Sequence, residues 1–459
     1  MNITNTTESR DSCRDAIRAV PGVLALSAKR RNWIQTSIDL LLGSTTRKGI
    51  VALADQGIAS ATNFLTGVII GRTCTKEEFG LYMLGFTIMW FVIDLQGSLI
   101  TSPYTVYSPH LKGRLHRQYA GSTLIHQLVL SGLVVIALIT LAPLVSLAIG
   151  RQDIMLVMWS LSGVITFINL KEYIRRFCFA ELRMNDALVL DFCVGIVQIG
   201  LLLFLAHFRF LSANHAFWAI GISCGIVSMI WLILSRKAFN VRRKQAISDF
   251  ARNWAFGKWV FSGDTVLSVS QRSYPWFLAF FQGTAATGIF AACWGVVSLV
   301  NPLLLGVGNY LGPKTVRAYA KGIGELRQLV FRGTIFLTGT MFLFCIFIVI
   351  FGGQLTALIY GSEYVGNGLI VILLALSISA SAIAWPTSYA LWAMERPDIN
   401  FKANLLALGV TLTLGLWMVK SLGLLGIGYG LLIGNSAASA ARYAAFARLI
   451  RFGAERQAQ

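Results

Sequence analysis

Charge is what this chain has least of. Only 13% of its 459 residues are Asp, Glu, Lys or Arg, about half of what a soluble protein of this size carries. Acidic residues are the scarcer kind, 20 against 39 basic ones. Cysteine supplies no framework either: Cys13, Cys74, Cys178, Cys193, Cys224, Cys293 and Cys345 stand singly, with no C-x-x-C pair and no Cys/His cluster. Neither a disulfide scaffold nor a metal site is therefore expected. No GxxxxGK[ST] stretch is present, so the chain has no phosphate-binding loop with which to hydrolyse ATP.

What the chain has in quantity is apolar length. Hydrophobic residues make up 56% of it and the mean hydropathy is +0.66. Several windows of about 18 residues hold at most one charge, which is the pattern of membrane-spanning helix. Twelve spans can be marked, roughly 50–71, 79–102, 121–149, 153–176, 187–206, 213–235, 257–281, 287–311, 327–352, 367–394, 401–419 and 423–446. The expected class is an all-α polytopic membrane protein. The apolar run at 19–28 is too short for a signal peptide, contains Pro21-Gly22 and is followed by Lys29-Arg30-Arg31. Residues 1–49 are instead expected in the cytoplasm, with 33–42 lying along the membrane surface.

The net charge of +19 suggests nucleic acid until the basic residues are placed. With the N-terminus inside, each inner segment carries several Lys or Arg. The outer loops hold only Arg72, Lys76, Arg151, Arg209 and Lys420. That is the positive-inside bias, so no nucleic-acid partner is expected and both termini fall in the cytoplasm. The outer loops are also short, leaving no room for the outer domain on which a membrane glycosyltransferase would build its active site.

The chain repeats itself weakly. Asp55 corresponds to Asp264 and Asn63 to Arg272, each 209 residues apart, and Lys112-Gly113 corresponds to Lys321-Gly322. Six spans per repeat give two halves of one orientation. The expected organisation is a cytoplasmic segment 1–49, a six-helix lobe 50–235, a basic linker 236–256, a second lobe 257–447 and a tail 448–459.

Polar groups within the spans are the candidate site. Asp55, Ala59, Thr62, Asn63 and Thr66 share one face of the first helix, and Asp264, Ser268, Gln271, Arg272 and Pro275 form the matching stripe in the seventh. Two carboxylates in such stripes favour a wet cavity over plain helix packing. Arg272 lies fourteen residues beyond Lys258, ~21 Å along a helix. Placing it there costs about 2.5–3.5 kcal/mol on insertion scales. It is either an anion site, where a guanidinium suits phosphate oxygens, or a structural ion pair with Asp264 or Asp55. Asp55, Asp264 and, more weakly, Asp94 are candidates for coupling to a proton or sodium ion, or for pairing with basic groups at the cavity mouth. Lys171, Arg175 and Arg176 end the fourth span, as positive-inside anchors or as a basic vestibule for an anionic head group. Asn301-Pro302 and Pro386 are the expected kinks.

The stretch LADQGIASATNFLTGVIIGR followed by EEFGLY, within residues 47–110, resembles the first two helices of Wzx-type polysaccharide flippases. Those belong to the multidrug/oligosaccharidyl-lipid/polysaccharide exporter superfamily, with lipid II flippases and MATE antiporters. SPHLKGRLHRQ, by contrast, lacks the acidic–basic glycine signature of major-facilitator transporters. The resemblance implies two six-helix lobes around a basic cavity in a bacterial inner membrane. It also implies export of an undecaprenyl-diphosphate-linked glycan, with polysaccharide polymerase and glycosyltransferases as partners and no cofactor beyond a coupling ion. The resemblance carries over no site motif, so the candidate substrate contacts rest on the polar and basic residues within the spans: Arg272, Asn63, Gln271, Lys171, Arg175 and Arg176. A cation-coupled antiporter of small molecules is the alternative.

Overall fold

The computed structural model describes residues 44–458; the segment 33–42 lies outside them. The described chain is helix throughout: α1 Ser44–Thr73, α2 Lys76–Gln96, α3 Gly113–Ile149, α4 Gln152–Ala180, α5 Met184–His207, α6 Ala213–Leu234, α7 Arg243–Arg272, α8 Thr284–Val297, α9 Ile323–Tyr360, α10 Gly368–Ile383, α11 Pro397–Val410 and α12 Leu424–Ala458. Ten of these helices, with their continuations, are long and apolar enough to cross a membrane. The remaining two are α1 and α7, the polar first helices of the two repeats. The chain is a multi-pass membrane protein with the expected two six-helix lobes.

Five helices continue beyond a break. α7 resumes as Tyr274–Gln282, α8 as Asn301–Lys321 and α10 as Trp385–Ala393, each with a proline in its first turn. Proline lacks the N–H that would bond to the turn before it and its ring crowds that turn, so the ladder is interrupted there. Asn301-Pro302 and Pro386 are thus breaks, as expected. α2 and α11 instead pass through single π-turns, Gly97–Thr101 and Thr411–Gly415. The repeat shows at the joints: Lys112-Gly113 and Lys321-Gly322 both separate consecutive helices, and both glycines have positive φ, 58° and 129°, a conformation that suits glycine.

Two boundaries differ from expectation. Helix begins at Ser44, ahead of the expected first span, and α7 begins at Arg243, inside the segment expected as a linker. Arg243, Lys244, Asp249 and Arg252 break the apolar windows, but charge does not break a helix. Ala246, Asp249, Asn253 and Gly257 are buried at a spacing that puts them on one face. On α3, Tyr119 Oη donates to Asn253 Oδ1 at 2.8 Å, and His126 Nε2 lies 2.8 Å from the Ala246 carbonyl oxygen.

α4 lies at the centre of the first half, against α2, α3, α5 and α6, while α12 packs on α10 and α11 in the second. The halves meet where α2 crosses α8. A Cβ on Gly80 would overlap the Thr284 carbonyl, and one on Gly288 the Lys76 carbonyl. Around this crossing Arg151 Nη1 donates to Thr284 Oγ1 at 3.0 Å and Tyr364 Oη to the Gly71 carbonyl at 3.3 Å. Arg72 caps the Leu358 and Ile359 carbonyls, and Lys76 lies 3.9 Å from Glu363. Among the described residues, every hydrogen bond and ion pair joining 55–234 to 284–451 lies at this one end. Gly288→Leu is expected to cost about 1–3 kcal/mol, the range for overpacking, read as a lower melting temperature. Gly306→Leu, where an added Cβ meets nothing within 4 Å, is expected to be near neutral.

At the opposite end a polar joint holds α2, α3 and α4 together. Glu181 Oε1 accepts from Tyr104 Oη at 2.7 Å and Ser108 Oγ at 2.8 Å, and lies 2.8 Å from His116 Nε2. Burial works against its charge, but the bonds from Tyr104, Ser108 and His116 outweigh that and hold its pKa below the ordinary value. A carboxylate with a depressed folded pKa stabilises the fold above its unfolded pKa of about 4.3, and the contribution is lost as pH falls through the lower, folded value. Melting temperature followed downward from neutral pH is expected to drop more steeply below about pH 4.3 for wild type than for Glu181→Gln.

Candidate functional site

The seventh helix carries the site because it packs against helices of both halves, α2 and α3 on one side and α11 on the other. Arg272 Nη1 donates to Asp94 Oδ2 on α2 at 2.5 Å, and Ser268 Oγ, one turn earlier on α7, donates to the same oxygen at 2.6 Å. The guanidinium also stands over the Trp90 ring, 5.8 Å from its centre. One more turn back, Asp264 Oδ2 accepts from Ser98 Oγ at 2.7 Å. The spacing 264, 268, 272 on α7 thus faces 90, 94, 98 on α2, two four-residue ladders meeting side by side. Side-chain exposures of 30% for Arg272 and 29% for Asp94 leave the pair within reach of solvent or a ligand.

A second charged cluster sits inside the first half. Arg175 Nη2 and Nε donate to Asp55 Oδ2 at 2.8 and 3.1 Å, and Nη2 also reaches Gln56 Oε1 at 3.2 Å. Asp191 on α5 lies 2.8 Å from Arg175 Nε and 2.7 Å from Lys171 Nζ. Glu172 Oε1 accepts from Arg176 Nε at 2.8 Å and, more loosely, from Arg175 Nη1 at 3.5 Å. Three cations face three carboxylates, so the cluster is neutral as a whole. Asp55 is 0% and Asp191 3% exposed. Desolvation of this depth is tolerated only when charges compensate one another.

The expected polar stripe on α1 therefore divides. Asp55 turns to Arg175, Thr66 accepts from Gln198 Nε2 at 2.8 Å, and Thr62 packs on Gly195. All three face α4 and α5, whereas Asn63 is exposed and forms no hydrogen bond among the described residues. Gln271 is likewise exposed and unbonded. Arg272 meets Asp94, not Asp264 or Asp55. Sequence reasoning passed over Glu172, Asp191 and Trp90. The first two are carboxylates inside apolar runs, the same signal that singled out Asp55, but they lie outside the repeat that guided the search. Arg175→Met is expected to cost about 3–5 kcal/mol, because Asp55 and Asp191 lose their shared cation. Adding Asp55→Asn, which leaves two cations facing two carboxylates, should restore most of the loss in a melting experiment.

The profile of the family described as Polysaccharide biosynthesis protein matches residues 45–309. Comparison with curated proteins gives no match. Among solved structures the chain is similar to a multidrug resistance MATE family transporter of the MOP superfamily in an inward-facing conformation. That match has a TM-score of 0.73 and 16% identity, over 88% of this chain and 99% of that one. An outward-facing conformation of such a transporter matches with TM-score 0.58 and 15% identity, over 89% and 96% of the two chains. A MOP superfamily transporter from Pyrococcus furiosus, whose binding pocket is described as having reverse polarity, matches with TM-score 0.61 and 15% identity, over 88% and 95%.

Proposed function

The chain belongs to the polysaccharide biosynthesis protein family, and on that footing we propose that it moves an undecaprenyl-diphosphate-linked oligosaccharide between the leaflets of a bacterial inner membrane. It is a membrane transporter of the flippase type, not an enzyme. The observation that carries the proposal is Arg272: a partly exposed guanidinium between the halves, held by a single carboxylate.

The positive-inside bias puts both termini in the cytoplasm, so the bonded end around Gly80 and Gly288 faces outward. The other end, away from that crossing, then faces the cytoplasmic leaflet, where a lipid-linked glycan is assembled. Its diphosphate displaces Asp94 from Arg272, exchanging a carboxylate for a more highly charged partner that fits the guanidinium fork. Exposed Gln271 and Asn63 are placed for sugar hydroxyls, and the polyprenyl tail stays in lipid. Lys171, Arg175 and Arg176 are already matched by carboxylates, which favours a bracing role for them over a vestibule. Of the three candidate coupling carboxylates, Asp55 and Asp94 hold cations while Asp264 accepts only from Ser98. Asp264 is therefore the preferred site for a coupling proton or sodium ion. Membrane lipids are its surroundings, with polymerase and glycosyltransferases as functional neighbours.

An exposed carboxylate at 264, together with the MATE-like fold, also suits a cation-coupled antiporter of small molecules. Arg272 on the same helix opposes organic cations, so the anionic lipid-linked substrate is preferred. In reconstituted vesicles carrying lipid-linked glycan, Arg272→Ala is expected to slow transfer about tenfold or more, the worth of a charge-assisted bond, with Arg272→Lys between the two. Undiminished transfer by the Ala variant at normal expression would remove the diphosphate role.

A further inference from the structure

Arg442 on α12 is half-buried, and no carboxylate lies within ion-pair distance of it among the described residues. Its Nη2 donates to Asn404 Oδ1 on α11 at 2.5 Å. Its Nε is buried with no partner, and Nη1 has no acceptor among the described residues. By contrast Lys171, Arg175 and Arg272 each rest against an aspartate. A cation within a spanning helix without a counter-ion is unfavourable, and such residues mark paths for ions or substrates.

The surroundings indicate where the missing charge would come from. On α11, Thr411 meets Ser270 of α7, the two hydroxyls 3.2 Å apart. Asn404 is seven residues before Thr411, hence on the same face. α7 and α11 run the same way, so the level of Asn404 on α7 is that of Gly263, where an added Cβ would meet nothing within 4 Å. Asn404, and Arg442 bonded to it, thus lie at the level of Gly263 on α7, one residue from Asp264. Because the guanidinium only donates, Asn404 must turn its oxygen towards it, which leaves the Asn404 NH2 as a second donor on the same side.

We infer that Arg442 and Asn404 form an anion site of the second half for a phosphate-bearing lipid head group. Planar guanidinium and adjacent amide donors match phosphate oxygens, and two sources share that chemistry: an anionic phospholipid and a lipid diphosphate. Only the second source rests on the transport reading above. The site is distinct from Arg272, which has its own carboxylate.

The test uses the full-length protein in nanodiscs of zwitterionic lipid, with inorganic pyrophosphate, a short-chain polyprenyl diphosphate and phosphatidylglycerol as probes. Affinity and melting temperature are measured for wild type, Arg442→Gln, Arg442→Lys and Asn404→Ala. Binding of at least one probe is expected to weaken about tenfold in Arg442→Gln, less in Arg442→Lys and Asn404→Ala. Without probe, Arg442→Gln is expected to melt no lower than wild type, since the charge it removes had no counter-ion. Weakening confined to phosphatidylglycerol assigns the site to a phospholipid; weakening that extends to the two diphosphates assigns it to the lipid diphosphate. Unchanged affinity for all three probes in Arg442→Gln and Asn404→Ala overturns the inference, as does a lower melting temperature with affinity retained. Glycan transfer by the wild-type protein alongside unchanged binding would remove this site and leave the transport reading standing.

Discussion

A charge inside a membrane-spanning helix needs a partner, and in this protein Asp55, Asp191 and Asp94 supply it from a different helix. That constraint turns each of these interhelical ion pairs into a staple. Asp55, Arg175, Asp191 and Lys171 bind α1, α4 and α5 into one body. Asp94 and Arg272 bind α2 to α7, and so one half to the other. The two staples differ in exposure: the first is nearly closed to solvent, while about a third of the second is open. A closed staple stiffens, whereas a partly open one can change partners, which is what recognition of a substrate requires.

The remaining contacts between halves are of another kind. At the Gly80–Gly288 crossing, backbones touch because no side chain intervenes. Close packing of this sort contributes many small dispersion terms and few directional bonds. Parting it also releases the bonds that Arg72, Arg151 and Tyr364 make around it and the Lys76–Glu363 pair. At the opposite end the bridge among the described residues is α7, lying along α3 through Asn253 and Ala246. In the proposed transport, alternating access would part the glycine crossing while α7, broken before Pro275, absorbs the change in direction.

The internal repeat also explains an asymmetry. Asp55 and Asp264 occupy equivalent places, yet one is buried against a guanidinium and the other is exposed beside a serine hydroxyl. The first copy of the stripe has become structural, and the second has remained open. Arg442 extends the same division, adding a cation with no carboxylate partner among the described residues to the half that already presents Asp264 and Arg272.

The amino-acid sequence by itself determined the class, the twelve helices, the proline breaks and the repeat, because long apolar runs and a missing N–H act locally whatever the neighbours. It also singled out Asp55, Arg175, Asp94 and Arg272 as candidates, since any charge in a lipid-length run is costly and therefore conspicuous. Tertiary structure alone decided who pairs with whom. Arg272 went to Asp94 rather than to Asp264, and Asp55 to Arg175, because pairing depends on which faces of separate helices meet, and helical periodicity fixes a face but not its neighbour. For the same reason the start of α7 at Arg243 escaped the hydropathy pattern: its buried side is made of small and polar residues that only α3, once in place, could receive.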